Sequence, residues 1–430
     1  MRTMLRAEPK MADMYSEKFR IDGKRLWNSL MDMAKVGATK KGGVCRLALT
    51  DPDRQARDLF VKWCREAHCH ITVDRMGNIF ARRPGIDNSR PPLMTGSYLD
   101  TQPTGGRFDG AYGVMAGLEV VRTLNDLNYK TLAPIEVVVW TNEEGSRFTP
   151  WGIGSAVFAG AYTLKEGLSC KDVEGRTIRE ELKRIGYAGR RAVSGHPVAA
   201  FLEAHIEQGP ILEKESKTIG VVNGVLGLRW YDVSVIGRSL HAGTTPAKLR
   251  RDALVGAVRI IMELNNIGNM YQPNSFTTVG ELHVYPNSRN VIPEKVNFTV
   301  DLRHSEIAVL DAMENDLKDA IKKITEELKL KITIKTVADM SPTSFTKECV
   351  EDIREETERL GLSYRYIKSG TGHDTCYISR VAPTGMIFIP CKGGISHNEK
   401  ESAKPDDIAA GCDVLLRTII RLADGKGYVL

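Results

Sequence analysis

The chain has 430 residues, of which 42% are hydrophobic and 27% are charged, and its formal net charge is +6. This length exceeds that of a usual single domain, so we expect two domains with substantial cores. The 60 basic and 54 acidic residues are interspersed. Because they form neither a focused basic patch nor an aromatic and basic platform, the composition argues against nucleic-acid binding.

The amino-terminal segment, residues 1–11, is charged and has no apolar core. It therefore predicts neither a signal peptide nor a membrane span, and Met4 and Met11 are alternatives for the true start. The eight cysteines lack the paired close spacing of a zinc ribbon and are interpreted as free thiols. Free thiols are typical of a reducing compartment, which predicts a cytoplasmic protein.

The first segment that carries chemistry lies within residues 92–117. A short apolar strand opens into a glycine-rich loop with Asp100 and Asp109, and an apolar helix is predicted over 114–124. A carboxylate just before that helix can bridge two cations, since the loop glycines let the backbone come close. An Asp-Gly pair taken alone is more often a turn.

The adjacent carboxylates Glu143 and Glu144 directly follow the apolar run 137–140. That run is typical of a buried parallel strand, and open α/β sheets bind ligands at the carboxyl ends of such strands. One carboxylate can hold a metal ion while its neighbour serves as general base toward a water molecule. A solvated loop pair is the competing interpretation.

Two histidines occupy similar places further along the chain. His205 lies near the end of a short strand that begins at Phe201, with Gln208 just after it, and His397 follows a strand predicted over 386–389. A lone histidine is more often a packed or surface residue than a metal ligand. His205 and His397 are therefore candidate metal ligands only in combination with the carboxylates.

The central part of the chain has the pattern of a separate module. Strands are predicted over 230–236, 276–284 and 295–303, and helices over 252–264 and 306–328. Residues punctuated by Gly, Ser or Pro mark both crossings. We therefore predict a discontinuous catalytic domain, residues 1–226 plus 342–430, and an inserted lid, residues 227–341. The predicted fold is α/β, with a mixed, mostly parallel sheet and helices on both faces in the catalytic domain and a smaller α+β lid.

Several motifs then occur in one order: Gly96-Ser-Tyr-Leu-Asp-Thr, Gly106-Arg-Phe-Asp-Gly, Asn142-Glu-Glu-Gly, His205-Ile-Glu-Gln-Gly-Pro, His241-Ala-Gly-Thr-Thr-Pro, Asn290-Val-Ile-Pro, Asp301-Leu-Arg-His, Ser369-Gly-Thr-Gly-His-Asp and Ser396-His-Asn. With them the chain resembles the di-zinc aminoacylase and carboxypeptidase-type amidohydrolases, from about Asp22 onward. The nearest branch contains N-carbamoyl-L-amino acid hydrolases, β-ureidopropionases and allantoate amidohydrolases, the carbamoylase branch.

The resemblance implies two divalent metal ions. Asp109 bridges them, Glu144 and His397 complete one position, and His205 helps complete the other. Glu143 is then the general acid/base, which takes a proton from water and delivers it to the leaving amine. The family implies zinc, while carboxylate-rich ligation also permits manganese, cobalt or nickel. Asp100 is expected to orient a metal ligand.

One position departs from the family pattern. Where the family has a metal-binding histidine, this chain has Tyr98, and a neutral tyrosine is a poor zinc ligand near neutral pH. Three alternatives follow: Tyr98 ligates a metal with a lowered pKa, the protein uses one firmly held cation, or the usual activity is changed or lost. A Tyr98 that only fills space, with water on the metal, is a further interpretation.

The resemblance also assigns the lid. It implies a homodimer in which the lid pairs subunits and in which His241, supplied across the dimer, binds the substrate or the developing oxyanion. Asn290 and Arg303 fall where the carbamoylase branch holds the substrate carboxylate, a task that suits the planar fork of arginine. Gln208 and His373 are further substrate-binding candidates, for which plain loop structure is the competing interpretation.

The sequence thus predicts a homodimeric, metal-dependent amidohydrolase that cleaves a linear amide or ureido C–N bond in a small carboxylate substrate. The segments 385–398 and 229–231 suggest β-ureidopropionase, with N-carbamoyl-β-alanine as substrate. N-carbamoyl-α-amino acids and allantoate are close alternatives, as is a different small amide. A catalytically silent small-molecule-binding protein is the alternative from another class, and Tyr98 favours it.

Overall fold

The computed structural model describes residues 19–425. Its α-helices are α1 (Gly23–Met33), α2 (Asp51–Glu66), α3 (Ala111–Asp126), α4 (Ile153–Phe158), α5 (Leu164–Ser169), α6 (Ile178–Ile185), α7 (Ile211–Lys214), α8 (Ala253–Met270), α9 (Ile307–Leu328), α10 (Lys347–Arg359), α11 (Thr375–Ile378) and α12 (Pro405–Asp424). Its strands are β1 (His70–Val73), β2 (Ile79–Arg83), β3 (Leu93–Tyr98), β4 (Ile135–Trp140), β5 (Ala200–Ile206), β6 (Ile219–Val225), β7 (Gly227–Ile236), β8 (Leu240–His241), β9 (Phe276–Thr278), β10 (Leu282–Tyr285), β11 (Val291–Ile292), β12 (Lys295–His304), β13 (Lys331–Met340), β14 (Thr343–Ser344), β15 (Tyr364–Ser369) and β16 (Thr384–Ile389).

The described residues form two compact units. Unit 1 comprises those up to Asn223, the segment Phe345–Ile367 and those from Gly372, and unit 2 comprises Gly224–Ser344 and Lys368–Thr371. Both main crossings lie close to the predicted bounds of 1–226 plus 342–430 and of 227–341. The segment Lys368–Thr371 is an addition, and the Leu226 N–H donates to the Ser369 carbonyl there at 2.9 Å.

Unit 1 is built on a mixed sheet. The strand order is β1-β2-β4-β3-β5-β16-β6, and β15 also pairs with β6. The central strands β4, β3, β5 and β16 are parallel, while β1, β2 and β6 pair antiparallel. The α/β fold is confirmed, and the four central strands pair in parallel.

The four parallel strands are buried along their whole length. Strands that are covered on both faces have apolar residues throughout rather than at every second position. Apolar runs such as 137–140 therefore predicted them. Helix α3 packs closely on them because it has glycines one turn apart. A Cβ at Gly113 would lie 2.6 Å from the Ala204 carbonyl oxygen, and one at Gly117 would lie 2.8 Å from Val137. Any larger residue there would push the helix away from the sheet.

Unit 2 is an antiparallel sheet of order β10-β12-β7-β13, with β9 also on β12. Helices α8 and α9 cover one face and share its core with the strands. The residues of β12 alternate between buried and more exposed, as a sheet with one covered face requires. The predicted strand over 276–284 is wrong as one element, because Val279 to Glu281 interrupt it between β9 and β10. Strand β13 was not predicted, although its residues alternate.

Arg229 has a structural role within unit 2. Its guanidinium lies 2.5 Å from Asp311, 2.7 Å from Glu314 and 3.1 Å from Asp339, and its side chain is 8% exposed. An arginine with so little exposure needs such partners, since an unpaired buried charge is costly. Arg229 therefore ties β7 to α9 and β13, a structural role that explains its presence in segment 229–231.

Among residues 19–425, no helix combines the length and the apolarity that crossing a bilayer requires. The eight cysteines are all free thiols, as predicted. The expectations about the amino-terminal segment, including Met4 and Met11, fall outside the described residues.

Candidate active site

The side chains predicted to carry chemistry in unit 1 gather at the carboxyl ends of the parallel strands. Strand β3 leads into the loop of Asp109, β4 into Glu143 and Glu144, and β16 precedes His397, while His205 lies near the end of β5. Parallel strands present these ends at one edge of the sheet, where α/β folds bind ligands. The topology therefore brings together residues that are far apart in sequence.

Asp109, Glu144 and His397 each offer one ligand atom, and these atoms lie within 4.8 Å of one another. His397 Nε2 lies 3.3 Å from Asp109 Oδ2 and 3.5 Å from Glu144 Oε2. Atoms that bind one tetrahedral zinc ion at its usual bond lengths stand roughly 3.3–3.6 Å apart. The spacing of these residues, predicted for one of two metal positions, therefore fits a metal ion.

The charges around these atoms also suit a cation. Burial, followed by the nearby Asp109 carboxylate, raises the pKa of Glu144 well above its usual range. Although burial opposes it, the imidazoles of His397 and His205 hold the pKa of Asp109 down to about 2. The hydrogen bond with Asp109 raises the pKa of His397 to about 9. These buried carboxylates carry negative charge that favours the protonated form of His397. A divalent ion at the same place would neutralise that charge and so stabilise it.

Glu143 is held by its backbone and surrounded by other carboxylates. The Glu143 N–H donates to Asp100 Oδ1 and the Glu144 N–H to Asp100 Oδ2, each at 3.2 Å. Asp100 thus fixes the turn after β4 that carries Glu143 and Glu144, and its expected role in orienting a metal ligand stays a prediction. Burial, followed by Asp374 and Glu144, raises the pKa of Glu143 well above its usual range. A glutamate of this kind can accept and return a proton near neutral pH.

Tyr98 lies inside the site. Its hydroxyl donates to Asp109 Oδ1 at 2.8 Å, and its oxygen lies 3.3 Å from His205 Nε2. Both side chains are buried. His205 Nδ1 lies 2.9 Å from the Ile206 carbonyl oxygen, which can only accept, so Nδ1 carries the hydrogen and Nε2 presents a lone pair to Tyr98 and Asp109.

Gln208 contacts the proposed ligands directly. Its Nε2 donates to Asp109 Oδ2 at 3.0 Å and to Ser396 Oγ at 3.1 Å. Its Oε1 is buried and has no hydrogen-bond partner among the described residues. A buried acceptor without a donor costs free energy, so a substrate N–H at this position would be stabilising.

His373 lies beneath His205. Its ring packs edge-on against the His205 ring, with centroids 4.6 Å apart, and it is 1% exposed. Burial lowers its pKa well below the usual value, so the ring is neutral. Glu203, His205 and His373 form a second group whose ligand atoms lie within 4.8 Å of one another, and Glu203 accepts from Ser97 Oγ at 2.6 Å. The packing indicates that His373 supports His205, and its predicted contact with substrate stays a prediction.

His241 and Asn290 are neighbours within unit 2. The short strands β8 and β11 pair there, and the Ala242 N–H donates to the Asn290 carbonyl at 2.9 Å. His241 is exposed, and its Nδ1 accepts from the N–H groups of Gly243 at 3.1 Å and Thr244 at 3.2 Å. Nδ1 is thus the acceptor in the neutral ring, and Nε2 carries the hydrogen and can donate to an oxyanion.

Arg303 lies at the end of β12 in unit 2. Its Nε and Nη2 donate to the Asp301 carboxylate, at 2.8 Å for the shortest contact, and its Nη1 donates to the Gly370 carbonyl. The predicted grip on a substrate carboxylate must therefore use the remaining N–H groups or displace Asp301. This role stays a prediction.

Sequence reasoning missed two residues that hold the ligand loops. Glu401 Oε1 accepts from the N–H groups of Phe108 at 2.8 Å and Asp109 at 3.1 Å, and its Oε2 accepts from Ser396 Oγ at 3.1 Å. It joins the loop of Asp109 to the loop of His397. Gln102 donates from Nε2 to Glu144 Oε2 at 2.7 Å. No pattern along the chain marked either residue.

We expect Glu401→Ala to lower the affinity for zinc by about 10–100-fold, the usual effect of losing a partner that orients a metal ligand. The loss of its three accepted hydrogen bonds would free the loops of Asp109 and Ser396. Glu401→Gln keeps one acceptor oxygen and should lose less. Competition titration with a zinc chelator measures the affinity, and Asp406→Ala, at an exposed position of α12, is the control. Equal zinc affinities for Glu401→Ala and the control would contradict the role.

The site can be compared with known proteins. Residues 95–421 match the peptidase family M20/M25/M40. The chain is 46% identical to an N-carbamoyl-L-amino-acid amidohydrolase of Rhizobium meliloti over 95% of this chain and 98% of that protein. It is 33% identical to the allantoate amidohydrolase of Escherichia coli (strain K12), over 91% of this chain and 96% of that protein.

A solved structure resembles the whole chain. The crystal structure of an amidase of the hydantoinase/carbamoylase family from Burkholderia multivorans superposes with a TM-score of 0.93 and is 55% identical. The match covers 95% of this chain and 99% of that one. The family resemblance predicted from the motifs is confirmed. The chain belongs to the peptidase family M20/M25/M40 and is, within it, an amidohydrolase of linear amide or ureido C–N bonds.

Proposed function

We propose that the protein catalyses metal-dependent hydrolysis of N-carbamoyl amino acids. The observation that carries the proposal is the convergence of Asp109, Glu144 and His397 beside the buried carboxylate of Glu143. The relative from Rhizobium meliloti is named for this reaction, and that name supports the choice of a ureido substrate.

Asp109, Glu144 and His397 are the residues that we propose to hold a divalent ion. When bound, such an ion polarises the ureido carbonyl and makes a water molecule acidic enough to attack at neutral pH. Zinc suits two carboxylates and one imidazole, and manganese, cobalt or nickel are compatible with the same donors.

Glu143 moves the proton in this proposal. Its carboxylate takes a proton from the attacking water, whose oxygen forms a bond to the ureido carbon. Glu143 then delivers that proton to the nitrogen of the amino acid as the C–N bond breaks. The products are the free amino acid and a carbamate, which decomposes to ammonia and carbon dioxide.

Substrate recognition is proposed for four side chains. The unpartnered Oε1 of Gln208 suits a ureido N–H, since it is a buried acceptor. The Nε2–H of His241 suits the developing oxyanion. Asn290 and Arg303 are proposed to bind the carboxylate, and for the three residues of unit 2 the family resemblance is the support.

Within this class we propose an N-carbamoyl-L-α-amino acid rather than N-carbamoyl-β-alanine. Of the two segments that suggested β-ureidopropionase, 229–231 contains the structural Arg229, and 385–398 begins with the buried strand β16. Neither separates an α-amino acid from a β-amino acid. We therefore base the choice of an N-carbamoyl-L-α-amino acid on the name of the relative that is 46% identical, an N-carbamoyl-L-amino-acid amidohydrolase.

A substrate panel tests this function. The purified, zinc-loaded protein is incubated with N-carbamoyl-L-α-amino acids, their D enantiomers, N-carbamoyl-β-alanine and allantoate, and ammonia release is measured. We expect the L-α-compounds to have the highest kcat/KM. Allantoate as the best substrate would overturn the substrate proposal. No turnover with zinc, manganese, cobalt or nickel would favour the catalytically silent binding protein.

We also propose a cytoplasmic homodimer. Helix α8 exposes Val255, Val258 and Met262, which are 46%, 45% and 62% exposed and lie about one turn apart. An exposed apolar stripe of this kind is typical of a surface that another chain covers. Sedimentation equilibrium of the wild type and of a Val258→Lys/Met262→Lys variant tests it, with a monomeric wild type as the contradicting result.

A further inference from the structure

The hydroxyl of Tyr98 forms a triangle with the two atoms that the family pattern assigns to a second metal ion. His205 Nε2 and Asp109 Oδ1 are 3.3 Å apart, a separation that fits two ligands of one zinc ion. The Tyr98 oxygen lies 2.8 Å from Asp109 Oδ1 and 3.3 Å from His205 Nε2. An ion that His205 Nε2 and Asp109 Oδ1 held at about 2 Å in the plane of these three atoms would overlap the Tyr98 oxygen.

The length of the side chain explains this position. The family has a histidine at position 98, which reaches a metal ion through a bond of about 2 Å. A tyrosine hydroxyl extends beyond the reach of a histidine nitrogen by about the length of that bond. On the same strand position, Tyr98 thus places its oxygen where histidine would place the ion.

The contact with Asp109 is a hydrogen bond rather than a pair of neighbouring ligands. Oxygen atoms 2.8 Å apart are at the most common distance for O–H···O hydrogen bonds. Two oxygens on one tetrahedral ion stand roughly 3.3–3.6 Å apart. The contacts of His397 with Asp109 and Glu144, at 3.3 and 3.5 Å, have the wider spacing. The contact of Tyr98 with Asp109 therefore has a different geometry from the contacts of His397.

Tyr98 has no room to withdraw. It ends strand β3, its side chain is 2% exposed, and its ring lies on Gly110, where a Cβ would come within 2.3 Å of the ring. Since the Tyr98 proton is donated to Asp109, the lone pair of His205 Nε2 accepts from the Gly110 N–H, at 3.4 Å. The two atoms that would bind an ion at this position, Asp109 Oδ1 and His205 Nε2, thus already accept hydrogen bonds within the protein.

We propose that each subunit binds one divalent ion, at Asp109, Glu144 and His397, and that the Tyr98 hydroxyl takes the place of the second ion of the family. The proton of the hydroxyl satisfies Asp109 Oδ1, and Asp109 Oδ2 faces His397. The residues around Tyr98 thus do not fit the second position of the family, in which Asp109 bridges two ions. This inference rests on the metal dependence proposed above and concerns the number of ions.

Counting ions tests the inference. The wild type, Tyr98→His and Tyr98→Phe are stripped with a chelator, equilibrated with excess zinc, passed through a desalting column and analysed for zinc per subunit. We expect one ion in the wild type, one in Tyr98→Phe and two in Tyr98→His. Thermal denaturation of each variant verifies that it is folded. The ultraviolet spectrum during zinc titration should show no tyrosinate band in the wild type.

Other results would overturn the inference. Two ions in the wild type that fall to one in Tyr98→Phe, with a tyrosinate band, would make Tyr98 a metal ligand. One ion in a folded Tyr98→His would show that the hydroxyl is not what displaces the second ion. The count needs no substrate, so a protein that binds one ion and hydrolyses nothing on the panel would refute the proposed function and leave this inference standing.

Discussion

Glu143→Gln is expected to lower kcat for N-carbamoyl amino acids by about 10²–10⁴-fold, the usual contribution of general acid/base catalysis. Glutamine has nearly the same shape, and the backbone bond from the Glu143 N–H to Asp100 would persist. The amide cannot take a proton from water or give one to the leaving nitrogen. Steady-state rates of ammonia release, compared with the wild type, measure the effect.

Two further measurements make this result specific. Zinc per subunit should be unchanged in Glu143→Gln, because the proposed ligands are Asp109, Glu144 and His397. Glu174→Gln, at an exposed position, is the matched control and should keep the kcat of the wild type. If Glu143→Gln kept its zinc and its kcat, Glu143 would not be the group that transfers the proton.

The position of the candidate site could be predicted from the sequence because it follows from the order and direction of the strands. Apolar runs predicted the buried strands, and polar residues after Trp140 and Ile389 had to emerge at their carboxyl ends. The predicted set of Asp109, Glu144 and His397 converges as the motifs implied. The local sequence is sufficient to predict the position of a site residue where a strand and the motif that follows it are adjacent in the chain.

Contacts made across the fold could not be predicted in this way. Glu401 meets Phe108, Asp109 and Ser396 through two loops whose mutual position depends on how α12 and α3 pack. Likewise, the sequence showed that Tyr98 departs from the family but left open what its hydroxyl contacts. Only the packed strands place that oxygen between Asp109 and His205.

Unit 2 illustrates a different limit. Strand β13 was not predicted, although it alternates in burial, with its polar residues Lys331, Thr333 and Lys335 at the more exposed positions. One face of an antiparallel sheet can remain open to water, so a strand of this kind carries only half of the apolar signal of β4. Arg229 showed the reverse error, since a charged residue in a suggestive segment proved to pair with carboxylates of its own unit.

Asp109→Asn is the second substitution for which we expect a large effect, the loss of both the bound ion and turnover. Asparagine keeps the shape of the side chain but removes the charge that pairs with His397. The affinity for zinc should fall by more than the about 10–100-fold expected when a partner of a ligand is removed, as in Glu401→Ala. Competition titration and ammonia release measure the two losses.

The comparison with Glu143→Gln separates binding of the ion from proton transfer. Glu143→Gln should keep the ion and lose turnover, whereas Asp109→Asn should lose both, and excess zinc should restore part of the activity only in Asp109→Asn. Chelation of the wild type should reproduce the state of Asp109→Asn and be reversed by added zinc. Full activity in a chelated wild type, or a normal zinc affinity in Asp109→Asn, would show that hydrolysis does not depend on an ion at Asp109.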